Sequence, residues 1–321
     1  LSASTKGTVV ITEPLHYAPE ARAVLAGIGP VVDGPFDRAG LLAAVRSARV
    51  LVVRLGHEID DEVLAAAPGL EYVCSPTTGT DHIDLAAAEA RGVRVVTLRG
   101  EAEFLAGVRA TPEHTWALLL ALVRKVPAAA ASTSAGWDRD AFRGTELAGK
   151  RLGIYGFGRV GRIVAGFGRA FEMQVLAHDT KPVTEPGVED AGSLAELLVR
   201  SDVLTVHVPL DDVTRGSIGA AELALLPAGA VLVNTARGAI VDEAALVESL
   251  RDGHLAGAAV DVLDGERSSE GRHLSPLLKY AADHPERAIV TPHIAGATWE
   301  SMHRTEVFLA GRLHDLVAAE G

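Results

Sequence analysis

One cysteine, Cys74, stands in 321 residues, so no intramolecular disulfide can form. No Cys-x-x-Cys spacing or Cys/His cluster accompanies it, and no metal centre is expected. So little cysteine fits a reducing, cytoplasmic compartment. Positive charge is scarce as well. The chain carries 30 Lys plus Arg against 42 Asp plus Glu, a net charge of −12, which offers no broad cationic surface to a polyphosphate backbone or an anionic membrane. Nucleic-acid and membrane partners are therefore not expected. Long apolar runs are missing too: the longest, Trp116 to Val123, is far shorter than the ~20 residues of a membrane helix. The polar start LSASTKG has no signal-peptide core, and a chain beginning with Leu is expected either to lack its natural N-terminus or to carry a remnant ahead of the fold.

What the chain does have is length and apolar content. At ~100 to 200 residues per domain, its length favours two domains, and a 48% hydrophobic share suffices for two cores. Short β-branched runs alternate with Ala/Leu-rich stretches of helical period, the pattern of parallel sheets covered by helices. The first series comprises TVVIT (8–12), VLVV (50–53), EYVC (71–74) and VRVVT (93–97). The second comprises RLGIYG (151–156), MQVLAHD (173–179), DVLTVHV (202–208), AVLVNTA (230–236), GAAVDVL (257–263) and AIVTPHI (288–294). These six candidate strands match a complete doubly wound nucleotide-binding sheet.

Between the series, Thr111-Pro112 is expected to open a helix, as N-cap and first helical residue. Its centre, Trp116 to Val123, is apolar on every face and is expected to pack between domains or between the subunits of a homodimer. The Ala-rich segment 128–133 reads as a surface connection, and the tail from Thr298 to Ala319 as a helix able to return to the first series.

Gly156, Gly158 and Gly161 stand as Gly-x-Gly-x-x-Gly directly after the strand RLGIY. Glycines there permit a tight turn, close approach of backbone to a pyrophosphate, and close packing of the next helix, whose N-terminus presents amide donors. The alternative is an ordinary strand-to-helix turn. Asp179, at the end of the next candidate strand and 18 residues beyond Gly161, favours the first reading, its own alternative being a helix N-cap or solvated loop carboxylate. It falls near the ~20-residue offset at which an acid accepts hydrogen bonds from ribose hydroxyls, and its charge would oppose a 2′-phosphate. Together they predict NAD.

Three later segments place polar side chains just past strand ends, where ligands of such sheets bind. They are Arg237 after AVLVNTA, Asp261 and Glu266 in and after GAAVDVL, and His293 between Pro292 and Ile294. Singly these are a surface arginine, two acids and a hinge histidine. Together they supply an anion-binding fork, an acid and a titratable base, the parts needed to hold a keto acid and move one proton while a hydride moves. His82 and His114 fall on helix-start patterns and are read as packing or capping residues, and Cys74 as a small buried hydrophobe.

From about Val50 to Thr298 the sequence resembles the D-isomer-specific 2-hydroxyacid dehydrogenases. The resemblance rests on TTGTDHIDL (77–85), GIYGFGRVGR (153–162), HVPL (207–210), VNTARG (233–238), AAVDV (258–262) and TPHIAGAT (291–298). It implies a Rossmann cofactor domain, 112–294, inserted into a flavodoxin-like substrate domain built from 1–111 and 295–321. It implies Arg237 as substrate anchor, Glu266 as partner of the histidine and His293 as acid/base, with Asp261 near the nicotinamide carboxamide. Around the glycine turn it implies cofactor contacts from Arg159 and Val160, and further along from His207, Val208, Pro209 and Thr214. Thr235, Ala236, His293 and Gly296 complete that set. Thr78 and Gly79 are implied on the substrate side.

Two departures from the family pattern stand out. Arg267 follows Glu266 where Pro is common, within a longer polar loop, and Ser75 stands where phosphoglycerate-type members often carry Arg. The stretch 99–111 also looks enlarged. Arg54, Arg99 and Arg109 either form a second anion site for a phosphate- or phosphonate-bearing keto acid or pair on the surface with Glu58, Glu101 or Glu103. Rival functions on this fold are a dinucleotide-sensing binding protein and a phosphite- or formate-type dehydrogenase.

Overall fold

The computed structural model describes residues 7–134 and 136–320, so most of the segment LSASTKG, Leu1 to Lys6, lies outside the described residues. Two compact units are present, Leu1–Gly107 with Thr298–Gly321, and Val108–Ala297. The breaks fall a few residues from the expected ones, at Gly107/Val108 and Ala297/Thr298.

The first unit holds five parallel strands: β1 (Thr8–Ile11), β2 (Val31–Asp33), β3 (Ala48–Val52), β4 (Tyr72–Ser75) and β5 (Arg94–Thr97). Their order, β2-β1-β3-β4-β5, is the flavodoxin-like one, and it reverses direction between β1 and β3. Val9, Val10, Val50, Leu51 and Val73 are fully buried, which explains why these runs are apolar without alternation. β2 was not expected from the sequence; three edge residues, none of them buried, leave no hydrophobic pattern to read. The stretch 99–111 is partly helical, Ala102–Ala106, with Leu105 turned into the core. The final helix, Trp299–Glu320, packs Leu309, Ala310 and Leu313 inward within this unit.

The second unit holds β6 (Arg151–Tyr155), β7 (Gln174–His178), β8 (Glu189–Asp190), β9 (Val203–Val206), β10 (Val231–Asn234), β11 (Gly257–Val260) and β12 (Ala288–Val290), all parallel. The order β12-β11-β10-β9-β6-β7-β8 is the Rossmann order extended by one strand. Six of these are the expected strands; β8, two exposed residues at the edge, is the addition. Register aligns the strand ends that matter. Asn234 pairs with Val260 and Val260 with Val290, so three neighbouring strands stop at one level. Tyr155 pairs with His178 and with Val206, aligning a second group.

Three local expectations are corrected. The apolar helix runs Ala110–Val123 with Arg109 at its N-cap, so Thr111 lies inside it, where its carbonyl accepts the Thr115 hydroxyl at 2.9 Å. Trp116, Leu118, Leu119, Leu122 and Val123 are buried within the second unit itself, Trp116 against Phe167 and Phe171 at ring separations of 5.8 and 5.0 Å. Ala117 stays exposed and Leu120 and Ala121 half-buried, so the helix is covered mostly, not wholly, within its own unit. The Ala-rich segment is a helix, Val126–Ser132, as the high helix propensity of alanine favours once Pro127 fixes the first turn. Among the described residues, no single helix is long and apolar enough to cross a membrane.

Candidate active site

Beyond β6 the chain turns through Gly156 at φ +99°, a conformation that side chains rarely adopt. A Cβ there would lie 2.6 Å from the Val208 amide, and one at Gly161 would lie 2.2 Å from the Gly156 carbonyl oxygen. Both positions need glycine because backbones cross there. Gly158 differs, since a Cβ on it would meet nothing within 4 Å. It is the N-cap of the helix Arg159–Ala170 and supplies no side-chain cap, so the first amides of that helix face an open side.

Asp179 follows β7, and its Oδ2 accepts the Phe157 amide at 2.7 Å, which ties the acid to the glycine turn. Arg159 donates to the Val108 carbonyl at 2.8 Å; burial, and then the nearby Arg109 charge, lower its pKa from the usual arginine value. Arg109 was expected among substrate residues with Arg54 and Arg99, but it belongs to the second unit and its charge is felt at the glycine turn. His207 leaves β9 with its amide on the Tyr155 carbonyl at 2.7 Å, while its ring Nε2 is buried with no partner. Burial pushes this histidine down to about 3, so the ring is neutral.

An uncapped helix terminus, two cations, a glycine opening and an orphaned ring nitrogen together fit an anionic dinucleotide. Val160 is half-buried in the first helical turn, Val208 half-buried and Pro209 exposed beyond β9. Two expected contacts have their hydroxyls engaged within the protein. Thr214 Oγ1 donates to the Pro209 carbonyl at 2.6 Å and holds the loop after β9, and Thr235 Oγ1 lies 2.7 Å from Thr115 Oγ1.

The chemical groups stand beyond β10, β11 and β12. Arg237 is half-buried, its Nη1 on the Ala236 carbonyl at 2.7 Å, and Asn234 clamps the turn from both sides through the Arg237 carbonyl at 2.9 Å and the Ala236 amide at 3.0 Å. Gly238 lets the neighbouring loop approach, since a Cβ there would lie 2.0 Å from the Leu263 carbonyl carbon. That loop carries Glu266, whose Oε2 accepts the Leu263 amide at 2.9 Å and whose Oε1 meets His293 Nδ1 in a short hydrogen bond. The polar stretch after Glu266 is not wholly loop: it contains the helix Ser269–Leu274, and Arg272 donates back to the Glu266 carbonyl at 2.5 Å. His293 and Glu266 side chains keep 24% and 22% exposure, so the pair is reachable without being open to bulk water. Among the described residues, His293 Nε2 has no protein partner.

His293 sits at φ +54°, a strained backbone for a bulky residue. Asp261, fully buried, holds it there. Its Oδ1 accepts the Thr291 hydroxyl at 2.6 Å and the Ile294 amide at 2.9 Å, and Oδ2 accepts the Ala295 amide at 2.7 Å. His114 Nε2 completes the set, 3.1 Å from Thr291 Oγ1 and 3.3 Å from Asp261 Oδ1. Burial alone would raise the Asp261 carboxyl, but hydrogen bonds from His114, Thr291 and the two amides outweigh it and hold its pKa below the ordinary value. Asp261, expected as a nicotinamide contact, is thus first a brace for the histidine loop. His114, read from the sequence as packing or capping, joins that brace. Gly296 is exposed beyond it, with open space around it.

In the first unit, Thr78 is exposed and Gly79 half-buried after β4, the latter's carbonyl accepting Thr77 Oγ1 at 2.8 Å. His82 is buried with Nε2 3.0 Å from Ser75 Oγ, a packing role. Arg54 is not available as an anion site: Glu306, only 1% exposed, neutralises it through Nε at 3.0 Å and a second, shorter bond. Arg99 is exposed after β5, and Glu101 pairs with Arg312 rather than with it. Glu306 lies 252 residues from Arg54, and no local pattern in the sequence signals the pair.

Residues 116–295 match the NAD binding domain of the D-isomer specific 2-hydroxyacid dehydrogenases. The chain is 40% identical over 296 residues to a D-3-phosphoglycerate dehydrogenase of Mycobacterium bovis, covering 90% of this chain and 53% of that protein. It thus spans about half the length of such relatives. A glyoxylate reductase of Aeropyrum pernix is 38% identical over 85% of this chain and 81% of its own. Among solved structures, the D-lactate dehydrogenase of Aquifex aeolicus complexed with NAD and lactic acid superposes with a TM-score of 0.85 at 27% identity, covering 97% and 96% of the two chains. With a Rossmann sheet, an open glycine turn and a matched domain in agreement, the chain belongs to the D-isomer specific 2-hydroxyacid dehydrogenases and carries their NAD binding domain.

Proposed function

We propose that this chain is an NAD-dependent oxidoreductase that interconverts a 2-keto acid and the corresponding D-2-hydroxy acid. The observation that carries the reading is the His293–Glu266 pair, held beside the Arg237 loop at three aligned strand ends. Gly156, Gly158, Gly161, Arg159 and Asp179 would hold the dinucleotide, which when bound supplies or accepts the hydride. Arg237 presents a planar two-donor fork suited to a carboxylate, and orients the keto group. His293 delivers a proton from Nε2 to the developing alkoxide, and takes it back in the reverse direction. Glu266 accepts from Nδ1, which fixes the tautomer and stabilises the imidazolium left behind. Asp261 keeps the histidine loop in its strained form throughout.

The names of the relatives, phosphoglycerate and lactate dehydrogenases and a glyoxylate reductase, support a short 2-hydroxy acid as the substrate class. The same reading includes a homodimer in the cytoplasm with no nucleic-acid or membrane partner, supported by the family resemblance, the scarcity of cysteine and the net charge of −12. Light scattering at micromolar concentration tests the dimer. The function is tested by NADH oxidation with a panel of 2-keto acids and chiral analysis of the product, with a D-2-hydroxy acid expected. NADH binding without turnover of any keto acid would point to a sensing protein, and oxidation of formate or phosphite alone would reassign the substrate.

A further inference from the structure

The carboxyl ends of β1 and β3, where the strand order of the first unit reverses, are where an open sheet of this kind meets its ligand. Two features converge there. The first is a cation removed from use. Arg54, two residues past β3, is held at every level: its amide donates to Glu13 Oε2 at 2.7 Å, its Nη1 to the Leu15 carbonyl at 3.1 Å, and its Nε and Nη2 to Glu306 Oε1. Glu306 Oε2 is itself fixed by the Ala18 amide at 2.7 Å. With the arginine 17% and the glutamate 1% exposed, this carboxylate cannot swing away without leaving a buried charge uncompensated. An incoming phosphate or carboxylate tail would meet a neutral pair whose acid repels it.

The second feature is apolar surface. Leu15, whose carbonyl holds Arg54, is 73% exposed, and Trp299 is 72% exposed. His16 joins them, its ring edge-on to Trp299 at 5.0 Å, with its backbone at φ +57°. Strain of this kind persists where surrounding structure enforces it, as it does at ligand clamps.

We infer that the first unit selects 2-keto acids with an uncharged, apolar tail, Glu306 excluding anionic tails by neutralising Arg54, and Leu15 and Trp299 forming the apolar contact. The inference rests on the 2-keto acid reading above and specifies the substrate within it. Selectivity then comes from a repulsive element and an attractive one together.

The test compares kcat/KM for 4-methyl-2-oxopentanoate, 3-phosphohydroxypyruvate and glyoxylate, with the part of the tryptophan fluorescence quenching that Trp299→Ser abolishes as a binding readout that needs no turnover. In the native chain the apolar acid is expected to exceed the phosphorylated one by about 10-fold or more, in efficiency and in quenching affinity. Glu306→Gln keeps the shape and frees the cation, and is expected to shift that ratio toward 3-phosphohydroxypyruvate by about 10-fold. Trp299→Ser alters an exposed side chain that the fold does not need, and is expected to lower the ratio of the apolar acid to glyoxylate by about 5-fold or more. A native preference for 3-phosphohydroxypyruvate, or ratios unmoved in both variants, would overturn the inference. Selective quenching by the apolar acid with no turnover of any keto acid would uphold it while removing the dehydrogenase reading.

Discussion

Replacing Asp261 with Asn separates a brace from a cofactor contact. The native carboxylate accepts from Thr291 Oγ1, Ile294 N and Ala295 N at 2.6, 2.9 and 2.7 Å, with His114 Nε2 at 3.3 Å. An amide keeps one acceptor oxygen and turns donors toward the remaining amide. The loss of one charge-assisted hydrogen bond together with one donor left unsatisfied amounts to about 3 kcal/mol. For a unit the size of Val108–Ala297 that corresponds to a fall in Tm of roughly 6 to 12 °C. His293, at φ +54°, is then free to relax, since the left-handed form costs ~1 to 2 kcal/mol without support. A shift of about 1 Å in the imidazole lowers kcat by roughly 100-fold.

The charge also gives the stability effect a pH signature. The folded pKa of Asp261 lies below the unfolded one, so its stabilisation is present above the unfolded value, ~3.9, and is lost as pH falls through the folded value. The stability gap between native and Asn chains should therefore close in acid. Thermal melts across pH, single-turnover rates and NADH titration measure all three quantities. A brace predicts lower Tm and kcat with NADH affinity within about threefold. Weakened NADH binding with an unchanged melting temperature would refute the reasoning and restore Asp261 to the nicotinamide side.

The expected strands of both units were legible because parallel strands covered on both faces carry unbroken apolar runs, as Val50–Val52 and Val231–Val233 do. The edge strands β2 and β8 were not, because residues such as Glu189 and Asp190 face solvent and carry no pattern. Candidate chemistry was legible on the same logic: Arg237, Glu266 and His293 each follow an apolar run, and ligands gather where such runs end. What the sequence could not show is how polar groups far apart in the chain satisfy one another. Arg54 reads as an anion site or a surface partner of nearby acids until Glu306 arrives on the final helix, and His114 as a packing or capping residue until Thr291 and Asp261 meet it. Segments 99–111 and 266–273 read as loops because Gly and Ser break their periods, yet short helices form there around Leu105 and from the Ser268 cap.

Four further outcomes are expected. His293→Gln should retain NADH binding and lower turnover by roughly 100-fold or more, checked by single-turnover kinetics. Gly238→Ala removes no functional group, yet its Cβ would lie 2.0 Å from the Leu263 carbonyl carbon; forcing the Arg237 and Glu266 loops apart should lower kcat by at least about 10-fold, and native-like turnover would show that their close approach is not needed. Asp179→Ala should narrow the preference for NADH over NADPH, measured as the ratio of dissociation constants. The last concerns His207, whose buried Nε2 has no partner and whose pKa is held down to about 3. Between the unfolded value, ~6.5, and that folded value, the unfolded chain binds a proton that the folded chain does not, so stability falls as pH drops. At 1.36 kcal/mol per unit, moving from pH 6.5 to 5 removes about 2 kcal/mol, and urea titrations at pH 7.5 and 5 should show the native chain losing that much more than His207→Gln. Equal losses in the two chains would mean that the ring finds a proton acceptor in the folded state, and the orphaned nitrogen could no longer be counted among the features that fit a dinucleotide.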